Sequence, residues 1–101
     1  MILKQFSCAG APSDILAAPG EGKRLTIWGI QFSASDTGRA AVYFGTDSPT
    51  SHLVFADFVN GANGYMNFSQ MGGIRTVDAD VALKGSMTNG ILRGVVYYTV
   101  D

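Results

Sequence analysis

The residues of this chain that carry ligating or reactive groups are few and scattered. His52 is the only histidine and Cys8 the only cysteine. A zinc site needs several nitrogen or sulfur ligands at motif spacing, and neither residue has such company. A hydrolytic triad would show a nucleophile in a Gly-x-Ser-x-Gly turn, which the sequence lacks. His52 therefore reads as a strand-edge residue at the end of a loop. Asp78 and Asp80 stand two apart, so on a strand both carboxylates would leave one face. Such a pair suits calcium binding or acid–base work. Calcium needs more oxygens than the neighbouring residues offer, and a solvated strand is the expectation. Gly20-Glu21-Gly22-Lys23-Arg24 has the look of a phosphate loop. However, Ala17 stands where that loop needs glycine, and Arg24 where it needs a hydroxyl for magnesium. A turn before a strand accounts for it. Asn67-Phe68-Ser69 is a glycosylation sequon in form, with no secretion signal to give it use. No catalytic residue, metal site or cofactor is expected.

Composition narrows the classes further. The chain has 101 residues, 47% hydrophobic and 15% charged, with a formal net charge of −1. The length suits one domain with a real core. The low charged fraction argues against disorder and for surface that is covered by the fold or by partners. Nucleic-acid binding is not expected, because Lys23-Arg24 is the sole adjacent basic pair and no basic stripe is present. No apolar run approaches the roughly 20 residues that span a bilayer, so no membrane partner is expected. Lys4 interrupts the apolar N-terminus, which argues against a signal peptide. A single cysteine excludes an internal disulfide and fits a reducing compartment.

The elements that would position any working surface are strands. Thirteen glycines and three prolines punctuate short apolar runs, the pattern of a sandwich or barrel. The first run is Ile2 to Cys8, broken by Ala9 to Asp14. Ile15 to Ala18 is short. The best strand is Arg24 to Ser33, with Leu25 and Ile27 on one face and Trp28, Ile30 and Phe32 on the other; Gly29 suggests a bulge. Ser35 to Gly38 is a turn, Ala40 to Phe44 a strand and Gly45 to Thr50 a loop. His52 to Phe58 is a strand. Asn60-Gly61 and Asn63-Gly64 are turn dipeptides. Tyr65 to Phe68, Ile74 to Val77 and Asp80 to Lys84 are weaker strands. Asn89-Gly90 turns the chain into Ile91 to Val100. The expectation is an all-β, antiparallel sandwich of jelly-roll type with about eight strands. It is a single domain, with residues 1–19 as an N-terminal arm or first strand and 20–101 as the sandwich. Leu25, Ile27, Val42, Phe44, Leu53, Phe55, Val81, Leu83, Val96 and Tyr98 are expected in the core.

More apolar and aromatic surface is present than one core needs. Tyr97 and Tyr98 are adjacent and must face opposite ways on a strand, so one of them meets something other than the core. Candidate interface residues are Ile2, Leu3, Phe6, Trp28, Tyr65 and Tyr97, types that suit contact surfaces.

The run Gly22-Lys23-Arg24-Leu25-Thr26-Ile27-Trp28-Gly29, the Gly-rich middle and the closing strand Gly90 to Tyr98 together resemble small phage virion proteins of jelly-roll or sandwich type. The resemblance covers roughly Pro19 to Asp101 and is one of hydrophobic and turn pattern. It implies a capsid decoration or cement protein, with the major capsid protein of the assembled shell as partner. It also implies a homotrimer at a local symmetry axis and assembly in the cytoplasm of a bacterial host. A tail, fibre or adaptor module, with or without carbohydrate binding, is the alternative; a small ligand-binding barrel or enzyme is a third.

Overall fold

The structure, a computed structural model, describes residues 1–45, 53–60, 63–76 and 78–101; over 53–60 the description is of the backbone and the side chain of Val54. It is all-β and antiparallel. The strands are β1 (Ile2–Leu16), β2 (Leu25–Ala34), β3 (Thr37–Phe44), β4 (Leu53–Asn60), β5 (Asn63–Asn67), β6 (Ile74–Arg75) and β7 (Leu83–Val100). A short 3-10 turn, Ser69–Met71, separates β5 from β6.

β7 organises the rest. One edge pairs with β1 from Ile2↔Tyr98 to Leu16↔Leu83. The other edge pairs with β2 over Leu92 to Val100 and with β3 over Leu83 to Met87. Beyond these, β5 and β6 pair with β2, and β4 pairs with β3. A flat 18-residue strand would run about 60 Å, yet the longest extent of the molecule is 37 Å. β7 must therefore bend, and the register shows where. Between Ile91↔Ala9 and Met87↔Gly10, residues 88–90 of β7 have no partner in β1. Gly90 takes a φ of 78° at this point, a conformation costly for any residue with a Cβ.

The neighbouring strands bend on the same line. β1 carries bulges between Ala9 and Ser13, and β2 passes into β3 through Ser35-Asp36. Side chains knit the corner. Ile91 N donates to Ser35 Oγ at 2.8 Å, Arg39 N to Thr88 Oγ1 at 2.7 Å and Asn89 Nδ2 to Thr37 O at 3.1 Å.

One sheet is thus folded into two leaves. The first runs in the order β1 (its N-terminal half), β7 (its C-terminal half), β2, β5. The second runs β1 (C-terminal half), β7 (N-terminal half), β3, β4. One core draws on both, with Cys8, Leu25, Ile27, Ile30, Leu92 and Val96 from the first leaf. Ile15, Leu16, Val42, Phe44, Leu83 and Met87 come from the second. Each large side chain so buried contributes about 2 kcal/mol. The leaves approach closely at Gly85, where an added Cβ would lie 2.8 Å from both Cys8 Sγ and Ile15 Cδ1. The far ends are tied through Asp80. Its N–H donates to Lys23 O at 2.8 Å, and its Oδ1 accepts from Gly20 N at 2.9 Å. Next to it, Gly45 N donates to Ala82 O at 3.0 Å.

Several expectations change. Ile2 to Cys8 and Ile15 to Ala18 are not separate strands; Ile2–Leu16 is one bulged strand. Asn89-Gly90 is not a hairpin turn but a corner inside β7, because Met87 and Leu92 on either side both find partners in flanking strands. Asn63-Gly64 opens β5 instead of turning. Residues 80–82 precede β7 and are not part of it. Seven strands result in place of about eight. The segment expected as an N-terminal arm or first strand is the first strand, and its Cys8, Ile15 and Leu16 are core residues. Of the expected core, Leu25, Ile27, Val42, Phe44, Leu83 and Val96 are buried, and Val81 and Tyr98 pack against them half-buried. The loop over Gly45 to Thr50, the Asn60-Gly61 turn and Val77 lie wholly or partly outside the described residues, as do the side chains of Leu53 and Phe55.

Candidate functional site

The scattered chemistry of the sequence is not gathered by the fold. Asp78 and Asp80 do not share a strand face. They sit in the bend before β7, where Asp80 takes a φ of 58°, a conformation that Asp tolerates better than most residues. Its carboxylate is used to hold Gly20. Lys23 and Arg24 flank the start of β2, and the Arg24 backbone pairs with Asp101 in both directions, at 2.8 and 3.0 Å. Cys8 lies in the core, where burial pushes its thiol above the ordinary value and a hydrogen bond with Ser13 pulls it partly back. Asn67 of the sequon uses its Oδ1 to accept from Ser69 N at 2.9 Å. His52 lies outside the described residues. Among the described residues, no three His, Cys, Asp or Glu side chains come together as a metal site.

What the fold does build is a groove on the outer face of the first leaf, the face turned away from the core. Register dictates its composition. Across the four strands, one row is Gln5, Val95, Gln31 and Tyr65, the next is Phe6, Gly94, Phe32 and Gly64, and the third is Ser7, Arg93, Ser33 and Asn63. Side chains alternate between faces, so the first and third rows project outward as two rails. The middle row sends its phenyl rings towards the core and offers its backbone outward as the floor. These twelve residues line an open cavity of about 1020 Å³. The rails stand about 7 Å apart and cross the leaf for about 14 Å.

Glycines shape this floor. A Cβ at Gly94 would collide with the Gln31 carbonyl oxygen, so β7 and β2 approach there as only glycine permits. At Gly29 a Cβ would stand 3.2 Å from the Tyr65 hydroxyl, so the bare β2 backbone lets the Tyr65 ring lie across it. Tyr97 meets Tyr65 edge to face at 6.3 Å between centroids, and its hydroxyl donates to Gln31 Oε1 at 3.4 Å. The rim is therefore held by contacts among its own side chains. Arg93 is the single charged residue among the twelve. It is exposed and makes no ion pair with another described residue.

Four of the six residues singled out from sequence share this outer face. Leu3 pairs with Tyr97 across β1 and β7, Tyr65 lies beside Tyr97, and Trp28 donates its indole N–H to Thr99 Oγ1 at 2.9 Å. Ile2 and Phe6 alternate onto the opposite face, where Phe6 packs on the core and Ile2 stands at its margin. The polar residues of the groove were not anticipated. Gln5, Ser7, Gln31, Ser33 and Arg93 are each visible as polar positions in alternating strands. Nothing in a single sequence says that β1, β7, β2 and β5 lie side by side.

The exposed large apolar side chains form a second feature. Met1, Ile2, Leu3, Tyr65, Met71 and Val100 are the ones found among the described residues, and all belong to the first leaf or its connections. β1 is also an edge strand, with no partner on its outer side among the described residues. No family model matches this chain, and no curated protein does either.

Proposed function

We propose that this chain is a jelly-roll structural protein of a phage particle, a decoration protein that attaches as an oligomer to the assembled shell and works by contact, not catalysis. The jelly-roll reading rests on strand order. Counting β1 and β7 as two segments each, and leaving aside the two-residue β6, gives eight, four to a leaf. The last segment of the chain then lies between the first and third in one leaf, and the seventh between the second and fourth in the other. That order supports a double Greek key, the arrangement common in viral capsid and lectin domains. Fold alone does not assign function; the surface has to.

The observation that carries the reading is the concentration of exposed apolar side chains on one leaf, at the start of an open edge strand. Leu3 is 60% and Met1 69% exposed, and the neighbouring β1 backbone finds no partner on its outer side among the described residues. Apolar patches and open edges are sites where another chain docks. A domain of this size offers each neighbour a small interface. Attachment as a trimer would raise effective concentration through several contacts at once, and binding the assembled state alone would stabilise it. Assembly in the host cytoplasm and residence in the virion follow from this role.

The experiment is co-sedimentation with mature shells that lack the protein. The full chain is expected to pellet with shells and not to bind free coat subunits, and Leu3→Asp to weaken pelleting about tenfold without loss of folding. Truncation before Gly20 is unsuitable, since it removes Cys8, Ile15 and Leu16 from the core. Failure of the full chain to pellet at micromolar concentration overturns the reading and gives first place to a tail, fibre or adaptor role.

A further inference from the structure

The groove on the first leaf asks for a ligand different from the one that the apolar edge asks for. We propose that it is a binding site for a short acidic oligosaccharide, a role that stands whether the chain decorates a shell or a tail.

Gly94 is paired on both sides, by β1 and β2, and Phe32 by β7 and β5. The backbone hydrogen bonds of these two central strands are therefore committed to the sheet. An extended peptide laid over the middle of the groove finds no free strand edge there, the feature on which peptide capture by sheets depends; the open edge of β1 lies at one end of the groove. Recognition must come from the rails. Gln5, Gln31 and Asn63 carry carboxamides and Ser7 and Ser33 hydroxyls, groups that both donate and accept. Sugar hydroxyls do the same, so a saccharide can satisfy both rails without leaving a buried polar group unpaired.

Two further features sharpen the class. Tyr65 is 58% exposed at one end of the groove, its ring fixed by Tyr97 and by the bare backbone at Gly29. A held aromatic ring with an apolar face suits the C–H face of a pyranose. Arg93 stands in the middle of the opposite rail as the single charge, and no carboxylate lines the groove among the described residues. A guanidinium fork matches a carboxylate or sulfate bidentately. A lone cation is too little for a nucleic-acid backbone, which requires a row of them. Neutral hydroxyls along the groove and one anionic group at its centre describe an acidic glycan of a few residues.

The test is a glycan array carrying carboxylated, sulfated and neutral oligosaccharides, followed by titration calorimetry with the best acidic member. Retention of acidic glycans is expected, with neutral counterparts at least tenfold weaker. Arg93→Gln should lower affinity by about tenfold or more, and Tyr65→Ala by several-fold, with both variants still unfolding in one cooperative transition. Arg93→Lys should recover only part of the loss, because a point charge lacks the fork. Absence of any acidic glycan from the retained set overturns the proposal. So does retention indifferent to both Arg93→Gln and Tyr65→Ala. Equal binding of an oligoglutamate peptide would replace the saccharide with an acidic peptide and overturn it as well. Shell attachment is read with Leu3→Asp and not with these variants, so the two proposals fail separately.

Discussion

The two leaves share one core and differ on their outer faces. In the second leaf, β3 is buried on both sides from Ala40 to Phe44. Ala40, Val42 and Phe44 point into the common core, while Ala41 and Tyr43 alternate away from it and are buried too. In the first leaf, the facing stretch of β2 alternates cleanly. Ile30 and Ala34 are buried and Gln31 and Ser33 exposed. The contrast is written in the residues: Ala-Ala-Val-Tyr-Phe is continuous apolar sequence, whereas Ile-Gln-Phe-Ser-Ala has period two. A continuous apolar run marks a strand covered on both faces, and alternation one with a face in water. Alternation is clean in the first leaf, and that is the leaf whose outer face carries the groove.

The largest expected effect tests that contrast on the outer faces. Tyr43→Ala removes a fully buried ring from the second leaf and should cost about 4 kcal/mol. Gln31→Ala removes an exposed side chain from the matching face of the first and should stay within about 0.5 kcal/mol. Urea denaturation of the two variants measures both. Equal losses would mean that the first leaf's outer face is as structural as the second's, and would remove the ground for treating it as a binding surface.

The inner faces should behave alike. Leu83 lies in the second leaf and Leu92 in the first, both on β7 and both fully buried in one cluster. Leu83→Ala and Leu92→Ala should each cost about 3 kcal/mol, in one cooperative transition seen by every probe. Two separate transitions, or a large loss from one substitution only, would show that the leaves fold as independent units and that the bend in β7 does not couple them.

Much of this fold was legible from the residues, for identifiable reasons. Leu25, Ile27, Val42, Phe44, Leu83 and Val96 sit where alternation places them, because a period of two survives any error in strand order. The corners were not legible. Asn89-Gly90 has the composition of a hairpin turn, and its positive φ is real. Whether the chain reverses there or merely bends depends on whether the flanking residues are claimed by β1 and β3, information held elsewhere in the sequence. Gly10-Ala11-Pro12 misled for the same reason: it interrupts the hydrophobic pattern but only bulges the strand. Asp80, expected on a strand, is instead a tie between the ends of the leaves. Of the candidate surface, the large residues Leu3, Trp28, Tyr65 and Tyr97 were legible by type. The polar rails were not, because their meaning arises only when four strands distant in sequence are set in register.

The smallest effect concerns the place where the leaves meet. Cys8, on the first leaf, lies against Gly85 of the second, where a Cβ would be 2.8 Å from its sulfur. Burial there raises the thiol above its ordinary value of about 9.0, the bond with Ser13 opposing in part. In the unfolded chain the thiol is solvated and ionises near the ordinary value. Between that value and the raised one, the unfolded state gives up the proton while the folded state keeps it. The unfolded state thus binds fewer protons in this window, and stability falls as pH rises through it. The full contribution is present below the unfolded value and is lost as pH climbs to the folded one. In Cys8→Ala, stability is lower throughout, by about 1 kcal/mol for the lost packing, but this part of the alkaline slope should be gone. The informative quantity is the difference between the two proteins' unfolding free energies from pH 7 to 10. That difference should shrink with rising pH. In parallel, a thiol reagent should label native Cys8 only at the rate of global opening. Rapid labelling of the folded protein, or a difference that stays constant with pH, would place Cys8 in solvent and mean that the leaves do not close at Gly85.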